Sequence, residues 1–252
     1  MAATISVFMG IDISAGARPL TYVSIDAERR PMAIGEGDLP DALAYAAGQQ
    51  AGALVAINAP ARPNTGRMGD PQVRAGLTPP PERGKWKTLR QAEYELIALG
   101  VDVPQTPASA DHSLPWMKRG FTLVERLERL NYRPYPQEEA SRQWMEVQAD
   151  AVFWSLVGVN PLPAGTLEGR IQRQLALADL DLPVPDAMEF FEEITRFKLL
   201  RGSLPMKYIL AQAEINAWLA AYTAWVAWHR PQELRRFGAE EEGVIYLPCR
   251  NP

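Results

Sequence analysis

Asp12 lies at the end of an apolar run, residues 4–13 (TISVFMGIDI), and is followed, after Ile13, by Ser14, Ala15 and Gly16. A carboxylate at a strand's end beside small residues can hold Mg2+ and leave space for a phosphate. The plainer reading is an aspartate capping a turn, and the motif alone divides about evenly between the two. Asn58 ends the next continuous apolar run, in INAP (57–60). Its amide can donate a hydrogen bond or ligate weakly, but it brings no charge. Glu146 follows an apolar pattern in WMEVQADAVFWSL (144–156). Taken by itself it reads as a surface glutamate on a strand edge.

A second cluster lies in residues 60–88, a stretch dense in proline and glycine. Here Arg62, Arg67, Arg74, Arg83, Lys85 and Lys87 face only Asp70 and Glu82. Arginines suit bidentate phosphate binding, and Trp86 between two lysines could stack a base. A solvated loop, with Asp70 pairing to a nearby arginine and Trp86 pinning the loop to the core, is the commoner outcome for such a charge run. Trp218, Tyr222 and Trp225 stand at i, i+4 and i+7, a stripe that reads as core or as the interface of a homodimer. His229 ends the same segment, where an imidazolium would favour the helix dipole. His112, between prolines, has no recognisable partner.

These side chains need elements to position them. Residues 4–13, 20–26, 32–34 and 53–58 read as strands, the last as a strand covered on both faces. Helices are expected over 39–50 and 89–99, with a short strand at 101–103. Residues 120–131 carry Phe121, Val124, Leu127 and Leu130 at helical spacing. A strand at 143–147 precedes a helix that Asp150 can cap. Further helices are expected at 166–178, 186–199 and 206–229, and a last strand at 243–247. Strands come first and then mix with helices, which predicts one α/β domain over 1–252, with 60–88 as an insertion and 160–252 as a mainly helical extension.

Composition narrows the function classes. The 252 residues are 47% hydrophobic and 22% charged, with a net charge of −4, as in a globular protein without a global attraction to nucleic acid or anionic membrane. One cysteine excludes an internal disulfide framework, and two histidines beside it make a structural zinc site a poor fit. No basic segment precedes an apolar stretch at the start, and no run approaches the roughly 20 apolar residues a membrane helix needs. A cytoplasmic protein with no membrane partner is expected.

In order along the chain, GIDISAG (10–16), INAP (57–60), Arg67-x-x-Asp70-x-x-x-Arg74, MEVQADAVFWSLVG (145–158), Gly169-Arg170, EINAWLAAYTAW (214–225) and EGVIYLP (242–248) resemble the family called domain of unknown function 429. Each piece is short; their ordered combination carries the likeness. The resemblance implies an RNase H-like mixed β-sheet flanked by helices, and a metal-dependent phosphodiester hydrolase using Mg2+ or Mn2+. Asp12 matches the family's first-strand aspartate, and Glu146 its glutamate before valine; these two would hold metal. The Arg67, Asp70 and Arg74 segment would bind the phosphate of the substrate. The family pattern has Asp where Asn58 stands, and aspartates three apart where Ala213 and Asn216 stand. Glu214 lies next door, but residues two apart on a helix point about 200° apart, so Glu214 and Asn216 cannot both enter one pocket. A metal pair on Asp12 and Glu146 alone would be poorly neutralised and weakly bound.

Three functions stay open. One is a metal-dependent nuclease with a thinned site of Asp12, Asn58, Glu146, Glu214 and Asn216. Another is a non-catalytic relative that binds nucleic acid or a phosphorylated small molecule through the loop at 62–90. The third, resting on GIDIS alone, is an actin-like or sugar-kinase-type phosphotransferase; it needs a second glycine-rich loop, which the sequence does not display.

Overall fold

The computed structural model describes residues 4–13, 19–82, 84 and 86–249. Ser14, Ala15 and Gly16, together with Arg83 and Lys85 of the basic stretch, lie outside the described residues. The chain opens with β1 (Val7–Asp12), β2 (Leu20–Ile25) and β3 (Pro31–Gly37), followed by α1 (Leu39–Ala47), β4 (Ala53–Asn58), α2 (Pro71–Ala75), α3 (Gln91–Ala98) and α4 (Pro115–Arg129). Next come β5 (Arg133–Pro134), β6 (Arg142–Val147), α5 (Ala149–Val157), α6 (Leu167–Ala178), α7 (Glu189–Glu192) and α8 (Arg196–Leu200). The chain continues through α9 (Gln212–His229), β7 (Leu234–Ala239) and β8 (Gly243–Pro248).

The eight strands form one mixed sheet in the order β3-β2-β1-β4-β6-β8-β7, with β5 paired to β6. Within it β1, β4, β6 and β8 are parallel, while β2 and β7 run against them. The fold is therefore α/β. Apolar content explains which strands are central: all six residues of β1 are buried, whereas β3 alternates exposed and half-buried residues as an edge strand does.

Helices cover both faces. One core cluster joins Phe8, Leu54 and Met145 of the sheet to α3, α5, α6 and α9. The other joins Met9, Ile11, Val55 and Ile57 to α1 and α4. In α9 every residue from Ile215 to Ala227 is buried, as expected of a helix that is apolar all round. It lies directly on β1. A Cβ on Gly10 would stand 2.0 Å from the Ala217 carbonyl oxygen, so only glycine permits this approach.

Several expectations need correction. Residues 101–103 form no strand; Val101 and Val103 are buried in the core, and their β-branched type reflects that burial. The helix expected over 186–199 is two short ones, because Thr195 is extended and its side chain caps the second. The last long helix starts at Gln212, not 206. The cap of α5 is Gln148, whose side chain accepts from the Ala151 N–H; Asp150 lies inside the first turn. Strand β7 carried no signal, its Arg235 and Arg236 pointing to solvent around a buried Phe237. Of the two readings of Trp218, Tyr222 and Trp225, core is the one observed: all three are buried within the chain. None of the described helices is long and apolar enough to cross a membrane.

Candidate functional site

β1, β4 and β6 end side by side, and a cleft of about 350 Å3 opens across those ends. Asp12, Asn58, Glu146 and Asn216 all line it. Glu214 does not, in keeping with its helical offset from Asn216, and Arg67, Asp70 and Arg74 do not either.

The strand register decides how the first four approach one another. Asp12 pairs with Asn58, and Asn58 with Val147, so these share one row. Side chains alternate along a strand, and this row faces α9. Asn58 donates from Nδ2 to Asp12 Oδ1 at 2.6 Å, and Asn216, reaching down from α9, donates to the same oxygen at 3.1 Å. The Asn58 Oδ1 accepts the Ala149 N–H at 2.9 Å. A backbone N–H can only donate, so this contact fixes the amide's orientation. Asn58 thus ties the end of β1 to the start of α5, and Asp12 is 6% exposed.

Glu146 is one position earlier, in the row of Ile57 and Ile11, whose side chains pack on the α1 and α4 side. It meets a different partner. Arg90 grips it with two guanidinium nitrogens, at 2.5 Å to Oε1 and 3.0 Å to Oε2, and the Ala61 N–H donates to Oε2 at 2.9 Å. The Arg90 Nε donates to Glu93 Oε1 at 2.9 Å, and Glu93 also accepts the N–H groups of Arg90 and Thr106. All three side chains are buried, with Arg90 1% exposed. Burial alone would pull the guanidinium's pKa down; Glu146 and Glu93 outweigh it and hold the pKa above the ordinary value. Three of the roughly four lone-pair sites of this carboxylate are thus taken by donors of the protein, two of them in a buried ion pair. Among the described residues, no group of three or more His, Cys, Asp or Glu side chains could hold a metal ion.

Arg62, Arg67 and Arg74 of the basic stretch are engaged by the protein itself. Arg67 donates to the Gln91 side chain at 3.0 Å and pairs with Glu241 at 3.3 Å. Asp70 caps α2 through the Gln72 N–H, and Arg74 donates to the Met68 carbonyl while lying 4.1 Å over the Trp86 ring. Trp86 therefore packs against an arginine. Buried Glu242 anchors the stretch, accepting from the Thr65 N–H and hydroxyl and from the Gln91 N–H at the start of α3. His229 packs on Phe8 and Trp225, and burial, with Arg230, lowers its pKa, so it adds little charge at the helix end.

Sequence reasoning missed Arg90, Glu93 and Trp116, which also line the cleft. Arg90 and Glu93 are three apart at a helix start, which reads as a surface pair; nothing in the sequence ties them to Glu146. The described lining sets the carboxylates of Asp12, Glu93, Glu146 and Asp150 against the guanidinium of Arg90. Asp150 is paired from outside, by the buried Arg173 at 2.6 Å. Side-chain amides of Asn58, Asn216, Gln148 and Gln212 supply the remaining polar surface, and half-buried Trp116 forms part of the wall. Such a surface favours hydrogen bonding to a flat polar group over binding a polyphosphate. No family model matches the chain, and no curated protein or solved structure matches it.

Proposed function

We propose that this chain is a non-catalytic RNase H-like protein that binds an unpaired nucleotide, base first, in the cleft at the strand ends, in a cytoplasmic setting. The observation that carries the reading is the pair of amides on Asp12 Oδ1, at 2.6 and 3.1 Å, standing where two-metal hydrolysis needs further carboxylates. The amides and Trp116 favour a base: Asn and Gln side chains match base edges, and an indole offers a stacking face. The helix-flanked mixed sheet, with Asp12 ending its first strand, agrees with the RNase H-like resemblance. Because the described lining is acidic, phosphates would remain outside the cleft. Mg2+ or Mn2+ would bind weakly if at all.

The test has two arms. Nucleotides and single-stranded oligonucleotides are titrated by tryptophan fluorescence against the wild type and Trp116→Ala; saturable binding weakened in the variant is expected. Mg2+ and Mn2+ are titrated calorimetrically, and cleavage of single- and double-stranded substrates is followed beside Asp12→Ala. No cleavage above that variant is expected. Metal-dependent cleavage lost in Asp12→Ala would overturn this reading in favour of the nuclease, which the position of Asp12 at the mouth of the cleft would then explain.

A further inference from the structure

Seven of the fourteen large apolar side chains exposed among the described residues fall between Met188 and Met206. Single exposed apolar residues need no partner, but a concentration of them marks a contact surface. Phe197 is 65% exposed and Leu200 77%, with Phe191 and Leu199 beside them in sequence. Beneath them a small separate cluster of Ile171, Ala187, Phe190 and Ile209 holds the segment in place, so α7 turns Phe190 inward and Phe191 outward.

The charges of this segment identify what it fits. Glu189 and Glu192 on α7 are exposed, as are Arg196 on α8 and Arg201 just after it. None of these four forms an ion pair among the described residues, whereas Glu193 is engaged by Lys198 and Lys207. Arg201 lies 4.7 Å over the Phe197 ring, leaving the phenyl group beside a cation. The surface thus has an acidic apolar half and a basic apolar half, on helices adjacent along the chain. A two-fold rotation exchanges the halves, setting each α7 carboxylate toward an α8 guanidinium with the phenyl and leucyl groups between them. An anionic bilayer would attract Arg196 and Arg201 and repel Glu189 and Glu192. A partner of single charge sign would meet the same conflict.

We infer that α7 and α8 form an isologous contact with a second copy of this chain. The contact uses none of the buried tryptophan stripe and is independent of what the cleft binds.

Sedimentation velocity on the full chain, over a micromolar concentration series, should show a monomer–dimer equilibrium. Phe197→Glu with Leu200→Glu should give a monomer with an unchanged circular dichroism spectrum and melting temperature, because both side chains are exposed. Glu192→Arg or Arg196→Glu alone should raise the dimer dissociation constant at least about ten-fold. A copy carrying Glu189→Arg and Glu192→Arg, mixed with one carrying Arg196→Glu and Arg201→Glu, should form heterodimers in preference to either homodimer. A wild type that stays monomeric throughout overturns the inference. So does a dimer that survives the Phe197→Glu, Leu200→Glu pair, or patch-dependent cosedimentation of the monomer with phosphatidylserine vesicles.

Discussion

Replacing Asn58 by Asp alters one atom at the centre of the cleft and should cost about 4 kcal/mol at neutral pH. The native Nδ2–H···Oδ1 contact to Asp12 is 2.6 Å long, and the other end of the amide accepts the Ala149 N–H. An aspartate still accepts that N–H, so its new oxygen must face Asp12. Two ionised carboxylates about 4 Å apart repel by about 4 kcal/mol at an effective dielectric constant of 20. The escape is to retain a proton, which restores a donor between the residues. Holding it at pH 7, about three units above an ordinary carboxyl pKa, costs about 1.4 kcal/mol per unit and so again about 4 kcal/mol. The sign follows: the folded variant binds a proton that the unfolded chain releases near pH 4. Its penalty should therefore be small near pH 4, grow by about 1.4 kcal/mol per unit from the unfolded pKa up to the raised folded pKa, and level off above it. Urea unfolding of wild type and variant at half-unit steps from pH 4 to 8 measures this. Mg2+ should stabilise Asn58→Asp and leave the wild type unmoved. A pH-independent difference, or a variant as stable as the wild type at pH 7, would refute the placement of Asn58 against Asp12.

Further outcomes follow from the same contacts. Arg90→Met should destabilise by about 3–5 kcal/mol, since it leaves Glu93 and Glu146 buried without their cation; Arg90→Lys should rescue little, because a lysine cannot grip Glu146 bidentately; both are read by chemical unfolding. Gly10→Ala should cost about 1–3 kcal/mol or more, its Cβ meeting the Ala217 carbonyl oxygen, with loss of melting temperature as the readout. Glu242→Gln should cost about 1–3 kcal/mol by turning an amide NH2 toward backbone donors, and hydrogen exchange should speed at Thr65 and Gln91. Burial raises the phenols of Tyr132 and Tyr246 to about 12, so the folded state holds their protons longest. Stability should fall as pH climbs from 10 toward 12, and absorbance at alkaline pH should show two tyrosines titrating late.

Much of the frame was legible because it rests on local signals. The uninterrupted apolar runs of β1 and β4 announced buried parallel strands, and both end on the polar residues that meet in the cleft, Asp12 and Asn58. Helical geometry separated Asn216 from Glu214, and the cleft takes only the former. What stayed hidden depends on partners remote in sequence. Arg90 and Glu146 are 56 residues apart, and no pattern in either segment calls for the other. Arg67 and Arg74 looked available for phosphate because Glu241, Gln91 and the Met68 carbonyl, which occupy them, give no local sign. Strand β7 escaped because the consecutive Arg235 and Arg236 put a charge on each of its faces and Gly238, at positive φ, interrupts its apolar content.

The two acids at the strand ends are each held by donors of the protein itself. Asp12 rests on two amide donors that add no charge, and Glu146 rests on a guanidinium that adds one. A divalent ion is strongly held where several carboxylates share a charge deficit it can cancel. Glu146 shares the single guanidinium of Arg90 with Glu93, and two amide nitrogens already donate to Asp12 Oδ1. The tether from Asn58 to Ala149 and the Gly10 contact with α9 hold those amides in position. Asn58→Asp together with Asn216→Asp adds two charges beside Asp12, and Mg2+ should therefore stabilise that double variant more than it stabilises the wild type.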